Sequence, residues 1–145
     1  MQITKLSAKD LHLAQQLILQ WQEDDGVLDT PLPSNAYLQK LLASDTFHVY
    51  VAQEDGLVVG GLTAYELHMF PKEGTEMFLY EIGVQEQHRK KGIARQLVEH
   101  LKTTCKEKGI KTIFVGTEKD NEPAKKLYIA TGGEFDTIAW FTYEL

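Results

Sequence analysis

Cysteine is almost absent from this sequence, since Cys105 is the only one among 145 residues. A single thiol excludes an intrachain disulfide and any zinc site built from cysteines. Cys105 shares one face of a predicted helix with four apolar residues, which are Ala94, Leu97, Val98 and Leu101. A buried thiol is therefore favoured over a catalytic nucleophile. The five histidines show no HExxH or similar ligand spacing, so we predict no metal site.

Long apolar runs are also missing. No stretch approaches the roughly 18 apolar residues that a membrane span needs, and the start, MQITKLSAKD, lacks the pattern of a signal peptide. Apolar residues make up 43% and charged residues 25% of the chain, as in ordinary globular proteins. We therefore expect residues 1–145 to form a single cytoplasmic domain without a membrane partner.

Basic residues are fewer than acidic ones, with 15 Lys and Arg against 21 Asp and Glu. The formal charge of −6 argues against a nucleic-acid partner, because phosphate binding needs a broad basic face. An acidic surface instead attracts cations. The one basic cluster lies between residues 89 and 95.

The pattern of apolar residues predicts alternating strands and helices. Residues 2–6 alternate like a short strand, and Ser7-x-x-Asp10 resembles a capping box for a helix that ends at 23–26. Ser34 is the expected cap of a second helix, 35–43. Asp55-Gly56 predicts a hairpin between strands 47–52 and 57–65. A further strand is predicted at 76–84.

The second half predicts a parallel crossover. An amphipathic helix ends at Lys108, with Gly109 as its C′ residue, and leads to a strand at 112–116. Asn121 caps a last helix that ends at Gly132-Gly133. The residues after it, with apolar groups at 135, 138–141 and 143, are expected to form a terminal hairpin or strand pair. Ile138 to Phe141 can also pair across a homodimer.

The turn before the central helix has no Ser, Thr, Asp or Asn in the usual N-cap position. The first turn of a helix offers about four unpaired N–H groups and the positive end of its dipole. A missing cap beside a basic turn therefore predicts a bound anion. The side chains expected around this anion are Arg89, Lys90, Lys91 and Arg95, and small residues at Gly92 and Ala94 would let it approach the backbone.

The spacing Arg89-x-x-Gly92-x-Ala94 resembles the acetyl-CoA-binding motif of the GNAT N-acetyltransferases. The order of predicted elements is similar to the GNAT fold across nearly the whole chain. This resemblance implies an α/β (α+β) fold, in which a mixed, mostly antiparallel sheet contains a splayed parallel strand pair and is flanked by helices. It also implies acetyl-CoA as co-substrate, held by Ile82, Gly83, Val84, Arg89, Lys90, Lys91, Gly92, Ile93, Ala94, Arg95, Asn121 and Ala124. Gly83 fits a bulge or a close approach of the ligand, and tight packing against a neighbouring element is the alternative.

The resemblance also implies catalytic residues. Asn121-x-x-Ala124-x-x-Leu127-Tyr128 matches a second family signature and places Tyr128 to protonate the departing thiolate, although a packed aromatic is the alternative. Amine acetylation needs a base, because an ammonium ion has no lone pair. Glu81 is the first candidate and Glu76 the second. Each is alternatively a solvated charge on a strand.

Within the family, the chain resembles the gentamicin-type aminoglycoside 3-N-acetyltransferases from about Tyr37 to the end of the last helix. This implies a cationic amine acceptor and a role in antibiotic resistance. Two departures from that group are Glu81, where it tends to have Asp, and the loop sequence WQEDDGVLDTPLP. Asp24, Asp25 and Asp29 in this loop are candidates for binding the acceptor. The alternatives are another amine (a polyamine, an amino acid or a protein) and a non-catalytic acyl-CoA-binding domain.

Overall fold

The computed structural model describes all 145 residues. It contains a five-stranded sheet in the order β1-β2-β3-β4-β5, with four helices and one short 3-10 turn at Glu86–His88. The elements in chain order are β1 Gln2–Lys5, α1 Leu11–Asp24, α2 Asn35–Leu42, β2 Phe47–Glu54, β3 Leu57–His68, β4 Thr75–Val84, α3 Ile93–Glu107, β5 Ile113–Phe114 and α4 Glu122–Ala130. Strands β1 to β4 pair antiparallel, and β4 pairs parallel with β5. The predicted mixed, mostly antiparallel sheet is confirmed.

Two apolar layers enclose the sheet. On one face α3 packs a larger core that includes Leu62, Leu79, Leu97 and Leu101, and Cys105 lies buried in it as predicted. On the other face α1 and α2 pack against β2 and β3 and form a smaller core around Leu17. The central strands are therefore apolar on both faces, as strands sandwiched between helices are.

Local signals in the sequence match the observed turns. Asp55 and Gly56 both have positive φ, of 49° and 79°, which is the backbone of the tight turn that Asp-Gly favours. The Ser34 hydroxyl accepts a hydrogen bond from the amide of Tyr37 and caps α2. Asn121 caps α4 in the same way, through the amide of Ala124.

The parallel pair β4–β5 is short. Only Met77 and Phe78 of β4 pair with Ile113 and Phe114 of β5. Beyond Phe78, β4 continues to Val84 without this neighbour, so one edge of the strand is open. This is the predicted splay, and it ends at the turn that leads into α3.

The bulge in β4 lies earlier than the position suggested for it. Thr63 pairs with Glu81 but Ala64 pairs with Leu79, so Tyr80 is the extra residue. Gly83 is instead a close-packing position, because a Cβ atom there would lie 2.6 Å from Nε1 of Trp21. The interpretation of Gly83 as a bulge is therefore wrong and tight packing is observed, while a close approach of the ligand to Gly83 stays a prediction.

The prediction of a terminal hairpin is wrong. Residues 134–145 form no strand and no helix. A strand needs a neighbour to complete its backbone hydrogen bonds, and these residues reach none in the chain. No helix of the protein combines the length and the apolar character that crossing a bilayer requires.

Candidate active site

A cavity of about 540 Å³ opens between the α1–α2 layer and the sheet. Its sides come from α1, the loop after α1 and α2, and its floor from β2, β3 and β4. Aromatic residues supply much of the lining, and they are Trp21, Tyr37, Phe47, Tyr65 and Tyr80. This size and composition are typical of a site for a small organic molecule.

Glu81 lies on the floor of this cavity. The extra residue at Tyr80 shifts the alternation of β4, so that Tyr80 and Glu81 both line the cavity although they are consecutive. The hydroxyl of Thr63 on β3 donates a hydrogen bond of 2.6 Å to one carboxylate oxygen of Glu81. The cavity lining contains Glu81 and not Glu76, the second candidate for the base.

Tyr65 stands beside this carboxylate. Burial, and then the charge of Glu81, raise the pKa of the Tyr65 phenol above its usual value. Its ring makes an edge contact with Tyr80 at a centroid distance of 5.5 Å. Glu81 therefore faces a neutral aromatic wall, against which a cation can be held by its charge and by the ring faces.

The three acidic residues of the loop occupy different environments. Asp25 lines the cavity. Asp24 accepts a hydrogen bond from the Gln20 amide and lies 3.5 Å from the guanidinium of Arg89, so its charge already has partners. Asp29 is exposed and does not belong to the cavity lining. The structure thus brings one of the three to the cavity.

The start of α3 has the free donors that the sequence predicted. Gly92 occupies the N-cap position with φ of 82°, and no side chain caps the helix. The amides of Ile93, Ala94 and Arg95 donate to no acceptor in the protein. A Cβ atom at Gly92 would meet nothing within 4 Å, so packing within the protein does not require glycine there. The positive φ does favour glycine, in addition to the predicted close approach of an anion.

The basic side chains of this turn have different partners. Arg89 donates from Nε to the carbonyl of Val84 and contacts Asp24, which ties the turn to the end of α1. Lys90, Lys91 and Arg95 are exposed and form no ion pair in the protein. These three, together with the free amides, fit an anionic group such as a pyrophosphate.

The end of β4 leads towards this anion site. Ile82 packs against the core under α3 and Val84 is buried in it, so their side chains point away from the cavity that Glu81 lines. The Gly83 carbonyl accepts a hydrogen bond of 3.4 Å from the Trp21 indole. What β4 offers a ligand here is its open backbone edge.

Tyr128 lies on the opposite face of the sheet from the cavity that Glu81 lines. It packs against the α3 core, and burial raises the pKa of its phenol above the usual value. Asn121 and Ala124, which precede it on α4, form the cap of that helix. Because β4 and β5 separate beyond Phe78, the sheet is open between the face that carries Glu81 and the face that carries Tyr128.

Several residues of the cavity were not identified from the sequence. Thr63 and Tyr65 alternate on β3 and meet Glu81 only through the register of the β3–β4 pair. That register follows a loop at 69–74 and a bulge, neither of which fixes pairing by sequence. Trp21 meets Gly83 only through the packing of α1 on the sheet. No group of three or more His, Cys, Asp or Glu side chains gathers as metal ligands.

Comparison with known proteins gives one family. Residues 14–132 match the model of the acetyltransferase (GNAT) family. The crystal structure of aminoglycoside acetyltransferase meta-AAC0020, from an uncultured soil metagenomic sample and in complex with sisomicin, superposes with a TM-score of 0.93 and 28% identity, over 99% of this chain and 95% of that one. Aminoglycoside acetyltransferase HMB0005, also from a soil metagenomic sample, gives a TM-score of 0.91 and 33% identity, over 99% of this chain and 98% of that one.

A curated relative matches more locally. The probable N-acetyltransferase family 8 member 5 of Mus musculus is 31% identical over 98 residues, which are 63% of this chain and 43% of the relative. The chain therefore spans less than half the length of this relative. Since the family model covers most of the chain and ends just after α4, this protein belongs to the acetyltransferase (GNAT) family.

Proposed function

We propose that this chain is an N-acetyltransferase that transfers the acetyl group of acetyl-CoA directly to a primary amine of a small cationic molecule. The position of Glu81 carries this proposal. The carboxylate lies in the cavity, about three residues past the last β4–β5 pair, where the sheet begins to open towards α3. A base at this point can meet an amine from one side and a thioester from the other.

The donor would enter from the α3 side. Free amides at Ile93, Ala94 and Arg95 and the exposed charges of Lys90 and Lys91 suit its pyrophosphate. The open edge of β4 offers backbone donors and acceptors to an amide-bearing arm, as an unpaired strand edge does. Acetyl-CoA would supply the activated acetyl group as a thioester.

Glu81 would accept a proton from the ammonium group of the acceptor, which frees the nitrogen lone pair to attack the thioester carbonyl. The Thr63 hydroxyl occupies one oxygen of Glu81 and leaves the other for this proton. The carbon–sulfur bond breaks as the amide forms, the nitrogen releases its second proton to solvent, and Tyr128 would give its own proton to the departing sulfur and regain one from solvent. Its raised pKa keeps the phenol protonated at neutral pH.

An aminoglycoside or a similar polycation is the proposed acceptor class. Glu81 and Asp25 give the cavity negative charge, and its tyrosines give flat surfaces on which sugar rings and ammonium groups pack. The sisomicin complex of the 28% identical neighbour supports this class.

The decisive experiment is an acetyl-CoA consumption assay with a panel of aminoglycosides, polyamines, amino acids and peptides. We expect turnover of at least one aminoglycoside. Glu81→Gln should lower kcat by about 10²-fold or more, and the loss should shrink at high pH, where the amine deprotonates without help. Glu76→Gln is the matched control and should leave kcat near that of the wild type.

Other outcomes would change the proposal in defined ways. Turnover of simple amines or peptides alone would remove the aminoglycoside assignment but keep acetyl transfer. No turnover of any amine, with acetyl-CoA still bound, would favour a binding domain. A loss of kcat in Glu76→Gln instead of Glu81→Gln would move the base to Glu76.

The acceptor charge can be tested within the loop. Asp25→Asn should raise KM for a polycationic amine more than for a singly charged one, because a carboxylate in the cavity wall is removed. Asp29→Asn removes the same charge from the same loop outside the cavity and should raise KM less. Steady-state kinetics at low and high salt measure both effects, and equal responses of the two variants would contradict a role for Asp25 in the site.

A further inference from the structure

Gln22 is a buried polar residue on the face of α1 that borders the cavity. It is 9% exposed, and it lines the cavity together with Ala14 and Ile18. Since these three residues are spaced four positions apart, they form one stripe along the helix. The first two members of the stripe are apolar, as packing favours, and the third is an amide.

The Gln22 amide has no partner within the protein. Its side-chain oxygen is buried and accepts no hydrogen bond. Gln20 also has a buried, unpaired oxygen, but its amide nitrogen donates to Asp24 at 2.7 Å, whereas the nitrogen of Gln22 has no such partner. An unpaired buried amide lowers stability, and an apolar side chain of the same shape would avoid that loss. The packing of α1 therefore gives no reason for a glutamine at this position.

The backbone holds Gln22 at the start of the loop after α1. The Gln22 carbonyl accepts a hydrogen bond of 2.8 Å from the amide of Val27, which closes the turn between the helix and the loop. Asp25 and Thr30, on either side of Val27, line the cavity with Gln22, and Glu81 lines its floor. A molecule that meets Glu81 with one group can therefore meet Gln22 with another.

The oxygen is the atom of this amide that suits the proposed acceptor. Ammonium groups only donate hydrogen bonds, and hydroxyl groups donate as well as accept them. The last side-chain torsion of a glutamine is broad, so the oxygen and the nitrogen exchange places at little cost. No hydrogen bond of the Gln22 oxygen opposes this rotation. The oxygen can therefore turn towards a donor in the cavity.

We propose that Gln22 is a specificity-determining residue, whose side-chain oxygen accepts a hydrogen bond from a second donor group of the acceptor, other than the amine that is acetylated. This inference rests on the proposed function, because it concerns the same cavity. It restricts the acceptor to molecules with at least two donor groups, such as amino alcohols and diamines built on a ring. An analogue without the second donor is rejected, since the buried amide then stays unpaired.

Titration calorimetry with sisomicin, a polycation with several amino and hydroxyl groups, tests this role without acetyl transfer. Gln22→Met keeps the length of the side chain and removes both polar atoms, so Kd should rise by about 10- to 100-fold. Gln20→Met is the matched control, because it removes a buried amide from the same helix outside the cavity lining, and it should leave Kd near that of the wild type. Equal Kd values for the two variants would overturn the proposal.

Gln22→Glu identifies the atom involved and the group that it binds. This variant keeps the shape of the side chain and an accepting oxygen, so it should retain the binding that Gln22→Met loses. Tighter binding than the wild type, with a gain that shrinks at high salt, would show that the second donor is an ammonium group. A Kd near that of the wild type at all salt concentrations would show a hydroxyl group. A loss as large as in Gln22→Met would overturn the proposal, because the oxygen would then not be the binding atom.

Turnover of sisomicin by the same variants separates this inference from the proposed function. Binding that depends on Gln22, without acetylation, would support the role of Gln22 and remove acetyl transfer to this molecule. Acetylation with equal kcat/KM in the wild type and in Gln22→Met would keep the activity and overturn the role of Gln22. A wild type that binds no sisomicin would also overturn this role, whereas acetyl transfer to another amine would still stand.

Discussion

Thr63 and Glu81 form the smallest unit of the proposed site. The hydroxyl fixes one carboxylate oxygen at 2.6 Å, and the pairing of β3 with β4 fixes both Cα positions. A base whose rotamer is held in this way meets its substrate with less loss of side-chain entropy. A hydroxyl residue opposite Glu81 is thus a positioning group that follows from the strand register.

Tyr128 allows a clean test at the same scale. Tyr128→Phe keeps the ring and removes only the acidic proton, so kcat should fall by about 10²-fold, while the affinity for CoA changes little. Burial raises the pKa of this phenol, so the wild-type rate should not decline until the pH exceeds the usual value for tyrosine, about 10. Pre-steady-state kinetics across pH measure both effects, and an unaltered chemical step would make Tyr128 a packing residue only.

At the scale of elements, α1 packs closely on the sheet at two glycines. A Cβ atom at Gly61 would lie 2.6 Å from both Leu17 and the Tyr50 carbonyl, and one at Gly83 would lie 2.6 Å from Trp21. The absence of side chains at these two positions lets α1 approach the sheet closely. The same approach brings Trp21, near the end of α1, to the lining of the cavity that we propose binds the acceptor.

The start of α3 is the element on which the proposed donor binding depends. Gly92→Glu places bulk and negative charge beside the free amides, so CoA should no longer raise the melting temperature of the protein. Gly109 at the other end of α3 also has positive φ, of 70°, and open space around it. Gly109→Glu is therefore a matched control with similar backbone strain, and it should keep the CoA-dependent shift. Thermal unfolding with and without CoA compares them, and retained binding in Gly92→Glu would place the anion site elsewhere.

For the whole molecule, acid stability should depend on a buried polar pair that does not belong to the cavity lining. His48 is 2% exposed, and its Nε2 atom lies 2.5 Å from Glu66, which also accepts from Lys108 at 2.6 Å. Burial lowers the pKa of His48, although its hydrogen bond to Glu66 opposes this. Burial alone would raise the pKa of Glu66, but the hydrogen bonds from Lys108 and His48 lower it. At neutral pH the imidazole is therefore neutral and donates to a charged carboxylate.

These shifts give acid stability a defined sign. An unfolded histidine takes up a proton near pH 6.5 and the buried one does not, so the free energy of unfolding should fall as pH drops below about 6.5. A second loss should follow below about pH 4.5, as Glu66 is protonated. His48→Gln keeps a donor to Glu66 but cannot titrate, so its stability should change less between pH 7 and 5.5. Urea unfolding at each pH tests this, and equal slopes for the two proteins would contradict it.

The sequence by itself determined features that depend on neighbours along the chain. The tight turn at Asp55-Gly56, the caps Ser34 and Asn121, and the uncapped start of α3 follow from backbone preferences and hydrogen bonds within a few residues. Apolar periodicity likewise placed Cys105 in the core, and the family motif identified the fold.

Only the tertiary structure decided the features that depend on contacts between distant segments. The bulge at Tyr80, the hydrogen bond from Thr63 to Glu81 and the packing of Trp21 on Gly83 each require two or three elements to meet in one register. The same is true of the ion pair between Asp24 and Arg89, and of residues 134–145, whose strand-like sequence pairs with no strand of the chain. Strand propensity is local, but a strand exists only where another backbone completes its hydrogen bonds.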